Sequence, residues 1–216
     1  MSGDGYSSAF PDTALARAAH TYLLGIAAST LVNHSLRSYL FARAIGDHKG
    51  LRAGADYDDE LLFLGCALHD IGLTEEGNGE QRFEVDGADL AARFLIENGL
   101  SAAKAEIVWD AIALHTSQGI AGRKRHEIAL AQSGIGADIF GFGADLLPEG
   151  HGLSVHADYP RLDLGHEIRD IIVAQAAAKP HKAPPFSFPG ELLKERSPQA
   201  VVPGYGQLLA SCPWES

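Results

Sequence analysis

Residues 59–70 read Asp59-Glu60-Leu61-Leu62-Phe63-Leu64-Gly65-Cys66-Ala67-Leu68-His69-Asp70. From Asp59 to about Ile71 the apolar side chains cover most of a helix circumference. A helix apolar nearly all round belongs in the middle of a bundle. This one ends on a histidine and an aspartate. An ionised carboxylate at a helix C-terminus meets an unfavourable dipole, and burial adds a desolvation cost. A divalent cation is the strongest compensator. The ordinary alternative is a capping or salt-bridged aspartate beside a core histidine.

The flanking sequence repeats the helical spacing. Residues 12–28 follow a Pro11-Asp12-Thr13 cap, and residues 33–45 form a second helix closed by Gly46. Residues 84–98 end on Asn98-Gly99, Ser101 caps the next helix, and another runs from Lys124 or Arg125 to Phe140. Gly134 and Gly136 weaken that one. Residues 147–160 hold two glycines and two prolines and are expected to be irregular; Pro160 to Ala178 is the last long helix. Beyond it, Pro180, Pro184, Pro185 and Pro189 break the periodicity, so the tail is expected to lie extended over the bundle with a short helix near 207–210. No alternating strand pattern appears. The expected fold is therefore all-α: an N-terminal segment 1–14, one helical domain 15–178, and a proline-rich tail 179–216.

Composition narrows the partners. The 216 residues carry 17 Lys and Arg against 28 Asp and Glu, a net charge of −11. That balance argues against nucleic acid and against docking on anionic lipid. No apolar stretch approaches a membrane span, and no signal peptide is visible in residues 1–13. A soluble, cytoplasmic protein with a small-molecule substrate is expected, and the tail leaves a homo-oligomer open. Two cysteines, Cys66 and Cys212, make no disulfide framework; Cys66 reads as a small core residue.

The chain has ten histidines, more than its length would ordinarily carry, so their placement matters. His34 lies on an earlier helix than His69-Asp70, and Asp138 on a later one among small and apolar neighbours. Two histidines and two carboxylates from three helices suit a metal site in a bundle core. The donor set suits zinc, ferrous iron or manganese, and the lack of thiolates argues against a closed structural zinc site. Arg37, one turn after His34, reaches an anionic substrate, holds a ligating carboxylate or makes a plain salt bridge. His20, His48 and His181 read as surface residues, His151 and His156 as part of a solvated loop, and His166 as packed or hydrogen-bonded. Glu84 and Asp86 read as helix-start charges. Phe140, Phe142, Phe186 and Phe188 are candidates to wall the site, with core packing the default reading for each.

The order His34, His69-Asp70, Asp138 resembles the HD-domain superfamily of metal-dependent hydrolases. Within it, Asn33-His34-Ser35-Leu36-Arg37-Ser38-Tyr39, His69-Asp70-Ile71-Gly72-Leu73-Thr74, Arg82-Phe83-Glu84-Val85-Asp86-Gly87-Ala88, His115-Thr116-Ser117 and residues 178–186 are similar to the cyanamide hydratase branch. The resemblance spans about residues 15–188. It implies a bundle binding one divalent ion, zinc first, through His34, His69, Asp70 and Asp138. His115 would line the pocket, with His115 and His126 leaving a second ion open. Asp70 and His115 are the implied catalytic residues, and His115, Thr116 and Arg37 the substrate contacts. The implied reaction is addition of metal-activated water to a small nitrile, cyanamide giving urea. The rival is a metal phosphohydrolase acting on a nucleotide or phosphomonoester, clamped by Arg37, Arg43, Lys124 or Arg125. Leu73 counts against it, because phosphohydrolase relatives carry lysine there. A metal-pocket sensor without turnover is the rival outside catalysis.

Overall fold

The apolar run becomes α3 (Asp59–Leu68), in which every residue from Leu61 to Leu68 is buried. Asp58 caps it by accepting the N–H groups of Glu60 and Leu61, which satisfies two donors that the first turn leaves without partners. This computed structural model describes residues 6–197 and 199–214. Around α3 stand α1 (Ala14–Ile26), α2 (Ser29–His48), α4 (Phe83–Glu97), α5 (Ala102–Ala113) and α6 (His126–Phe140). They are followed by α7 (His151–Asp158), α8 (Leu164–Ala178), α9 (Phe188–Arg196) and α10 (Tyr205–Ala210). Among the described residues there is no strand, only an isolated bridge between Ala53 and Tyr57. The fold is all-α. The N-terminal reading of residues 1–5 lies outside the described residues.

The pairing that positions the site is α2 against α6. A Cβ added to Gly134 would lie 2.1 Å from the Ser38 carbonyl oxygen and 2.7 Å from the Ala42 Cβ. The missing side chain therefore lets the two backbones touch. One turn further along α6, and one turn back along α2, Asp138 meets His34. The helices run antiparallel, with Leu130 packed at Gly46 on the far side. Gly134 weakens helix propensity, as expected, but its role is close packing. Gly46 does not end α2, which continues to His48.

Three further expectations are corrected. Residues 151–158 are helical rather than irregular: Gly150 adopts φ 75° at the N-cap, and Val155 anchors the helix in the core. The region after residue 179 is not uniformly extended. Ser187 accepts the Gly190 N–H as an N-cap and Pro189 sits in the first turn of α9, where a missing N–H costs nothing. His20 is buried, edge-on to the Tyr6 ring at 5.1 Å. Its ring fills an aromatic niche that helical spacing alone does not reveal.

A second, smaller core of Leu31, Leu73, Phe83, Leu164, Ile168 and Ile172 fastens α8 to the turn after Asp70. Gln175 adds a hydrogen bond to the Gly72 carbonyl. Among the described residues no helix is long and apolar enough to cross a membrane.

Candidate metal centre

His69 is the C-cap of α3, and its Nδ1 donates to the Cys66 carbonyl at 2.8 Å. That carbonyl is among the acceptors a helix end leaves free. Because a carbonyl only accepts, the neutral His69 ring carries its proton on Nδ1 and presents Nε2 as a lone pair. The chain then turns sharply through Ile71–Leu73. A Cβ on Gly72 would fall 2.0 Å from the Phe83 carbonyl oxygen, so glycine is what lets α4 press against this turn and hold Asp70 in place.

His34 comes from α2. Its Nδ1 donates to Asp138 Oδ2 at 2.6 Å, which leaves its Nε2 bare as well. The two Nε2 atoms stand 3.1 Å apart. Asp70 Oδ2 lies 3.2 Å from His69 Nε2 and 3.7 Å from His34 Nε2. One donor atom from each of His34, His69 and Asp70 lies within 4.8 Å of the others, and all three residues are buried. Two lone pairs and a carboxylate converging in the interior repel one another unless a cation or a shared proton lies between them. Without metal, burial pulls His34 below the ordinary imidazole value. At His69 burial is outweighed by Asp70 and the Cys66 carbonyl, so its shift is upward. Burial alone would raise Asp70, but the surrounding imidazoles hold it well below the usual carboxylate range. The donor set fits a divalent cation, and each imidazole has the outer hydrogen bond that a ligating histidine ordinarily makes.

Asp138, expected as a fourth ligand, is placed behind His34 instead, on the Nδ1 side of the ring. Its carboxylate is held by a two-pronged contact from Arg37, Nε to Oδ1 at 2.8 Å and Nη2 to Oδ2 at 2.7 Å. His156 Nε2 lies 3.4 Å from Oδ1, and Arg161 donates to the Asp138 main-chain carbonyl. With Arg37 and His34 on it and Arg161 Nη1 3.5 Å from Oδ1, this carboxylate lies on the Nδ1 side of the His34 ring, apart from the His34–His69–Asp70 group. Arg37 is fully buried, and its Nη1 bonds the Tyr159 and Pro160 carbonyls. It is not among the residues that line the cavity, so of its three readings the structure shows the salt bridge, made to Asp138. His156, expected in a solvated loop, joins this group through α7.

His115 is brought to the cluster from the end of α5. Its Nδ1 donates to the Ile112 carbonyl at 2.6 Å, and Nε2 lies 3.8 Å from Asp70 Oδ1. Burial, followed by the neighbouring His69, pushes it down to about 4. Thr116 follows and donates to Glu84 Oε1 at 2.7 Å. Glu84 and Asp86 lie in the first turn of α4, as expected, and both are buried. Glu84 is fully buried against Arg82, and Asp86 pairs with buried Lys182 at 2.6 Å. Periodicity shows that they begin a helix but not that partners from elsewhere cover them. His126 is exposed and bonds the Asp56 carbonyl at 3.0 Å, which does not bring it into the His34–His69–Asp70 group.

A cavity of about 200 Å³ opens onto His34, His69, Asp70 and His115. Its walls are Phe83, Ile135, Ile139, Phe140, Phe142, Ile168 and Phe188, with Thr116 and Gln118 as polar members. Three of the four candidate phenylalanines are there rather than in the core; Phe186 is not, and is exposed. No described Lys or Arg lines the cavity. The cations expected to clamp phosphate are engaged elsewhere: Arg43 with Asp59, Lys124 with Asp110 and Arg125 with Glu127.

The model of one protein family, described as HD domain, matches residues 31–139. No curated protein matches the chain.

Proposed function

The chain belongs to the HD-domain family, whose helical bundles bind divalent metals for hydrolase-type chemistry, and from that premise we propose that it hydrates a small neutral nitrile, cyanamide to urea. The observation that carries this reading is the cation-free, largely apolar cavity over the His34–His69–Asp70 cluster. Phosphoryl transfer needs fixed positive charge around the transferring group, and a compact neutral substrate does not. The wall is completed by Ile168 of α8 and Phe188 of α9, both outside the residues matched by the family model.

We propose zinc held by His34, His69 and Asp70, a donor set that also suits ferrous iron or manganese. Such an ion supplies Lewis acidity and lowers the pKa of water. His115 Nε2, bare and facing Asp70, takes the proton water loses as its oxygen bonds the nitrile carbon. It returns that proton to the nitrile nitrogen, and the isourea formed tautomerises to urea. The aromatic and aliphatic walls exclude bulk water and confine a substrate of few heavy atoms.

The test is metal analysis of the purified protein, with urea formation from cyanamide and phosphate release from nucleotides measured in parallel. Urea formation with slow or no phosphate release is the expected result. Rapid phosphate release without urea overturns the reading in favour of a phosphohydrolase, and bound metal with neither product points to a sensor.

A further inference from the structure

Beneath the cavity wall lies a carboxylate that the hydration chemistry does not use. Glu84 is fully buried, paired with Arg82, and accepts the Thr116 hydroxyl proton at 2.7 Å. A carboxylate held by a guanidinium only accepts. The Thr116 proton is therefore directed at Glu84, which leaves the lone pairs of its oxygen to accept, and Thr116 is one of the residues that line the cavity. Arg82 Nη2 donates to the same oxygen over a long 3.4 Å, which takes one of its two acceptor positions and leaves the other. His115, fixed by the Ile112 carbonyl, likewise presents a bare Nε2. The side-chain amide of Gln118 is the donor of the lining, and it sits at the exposed rim with its oxygen 3.2 Å from Gln132 Nε2. At Thr116 and His115 the polar lining thus offers acceptors.

We propose that Glu84 is a positioning residue that holds Thr116 as a hydrogen-bond acceptor, so that the cavity selects substrates bearing N–H groups on the electrophilic carbon. The proposal rests on the hydratase reading for the reaction but on the Glu84–Thr116 hydrogen bond for the selection. A substrate with an amino group beside its unsaturated carbon satisfies the acceptor. A fully alkylated analogue leaves that acceptor position without a donor, a loss on the order of tenfold in binding.

The experiment follows the backbone amide NMR signals of residues 115–118 while titrating two matched probe pairs. One pair is cyanamide and dimethylcyanamide; the other is urea and tetramethylurea. Wild type is expected to bind the N–H-bearing member of each pair at least about tenfold more tightly. In Thr116→Val and Glu84→Gln the ratio is expected to fall to within about threefold, whereas Thr116→Ser retains it. A steady-state assay is expected to show the same effect as a raised KM for cyanamide with kcat much less changed. If Glu84→Gln does not fold, the Thr116 pair decides alone. An unchanged ratio in Thr116→Val overturns the proposal, as does failure of both cyanamide and urea to bind. Binding with the expected ratios but without urea formation sinks the hydratase reading and leaves the selection intact.

Discussion

The Nε2 atoms of His34 and His69 face each other at 3.1 Å. Both rings carry their proton on the opposite nitrogen, fixed by Asp138 and by the Cys66 carbonyl, so neither can relieve the contact by changing tautomer without losing a buried hydrogen bond. A cation between them relieves it. Metal loading is therefore expected to raise stability, by about 2.7 kcal/mol when free metal is a hundredfold above Kd. The check is a thermal melt of chelated and reloaded protein. Identical midpoints, with metal confirmed absent in one sample and present in the other, rule out the site.

Asp138 supports His34 from behind, and its removal should behave accordingly. In Asp138→Asn, loss of an outer hydrogen-bond partner is expected to weaken metal binding about 10- to 100-fold. It also leaves the fully buried Arg37 guanidinium without its counter-charge, a penalty of about 3–5 kcal/mol in stability. His69→Ala removes a donor atom itself and is expected to abolish stoichiometric binding. Equal, complete loss of metal in both folded variants would make Asp138 a direct ligand.

These residues also show how far the sequence carries. The apolar run at 59–68 could be assigned to the bundle centre because burial on all sides leaves a composition signal, and His69-Asp70 stood out because charge at its end needs compensation. The division of labour between Asp70 and Asp138 was not legible: both are aspartates near histidines, and only the side of the His34 ring that each approaches separates them. That Glu84 and Asp86 begin α4 was legible, but what covers them was not, since their partners Thr116 and Lys182 are 32 and 96 residues away. The helices α7 and α9 were missed where glycine and proline act as caps and first-turn residues rather than as breakers.

Gly134 supplies a test in which propensity and packing oppose each other. In an open helix, Gly→Ala stabilises by about 1 kcal/mol. Here the new methyl would lie 2.1 Å from the Ser38 carbonyl oxygen, so α2 and α6 must separate, at a cost of about 1–3 kcal/mol or more. The net effect expected of Gly134→Ala is destabilisation in denaturant melts, with weaker metal binding because His34 and Asp138 lie one turn from the contact. A stabilised variant would show that the helices are not in backbone contact.

His115→Ala separates catalysis from metal holding. It is expected to retain metal, since the His34–His69–Asp70 group does not include it. Turnover is expected to fall about 10²- to 10⁴-fold, the usual worth of a general base. Loss of metal along with activity would make His115 a ligand, and a near-normal rate in a less stable protein would reduce it to core packing.

The segment after α8 is bolted to the bundle by Lys182, whose ammonium bonds Asp86 at 2.6 Å, Asn78 Oδ1 at 2.9 Å and the Gly79 carbonyl at 3.1 Å. Its side chain is 2% exposed, so the pair has been taken out of water and neither charge can be rehydrated cheaply. Lys182→Met keeps much of the stem's packing but removes the charge, leaving the Asp86 carboxylate with the Gln81 N–H. Breaking a buried pair from one side costs about 3–5 kcal/mol; the Gln81 contact places this case at the lower end. Because Phe188, just beyond, is part of the cavity wall, the loss should reach the site. Limited proteolysis is expected to cut Lys182→Met between residues 179 and 200 faster than wild type, and KM is expected to rise while metal content stays unchanged. If the Met variant resists protease and keeps its KM, the wall contributed by α9 does not depend on this ion pair. Asp86→Asn combined with Lys182→Met then distinguishes the cost of a stranded carboxylate from the loss of the bond itself: recovery of stability in the double variant assigns the cost to the charge left behind.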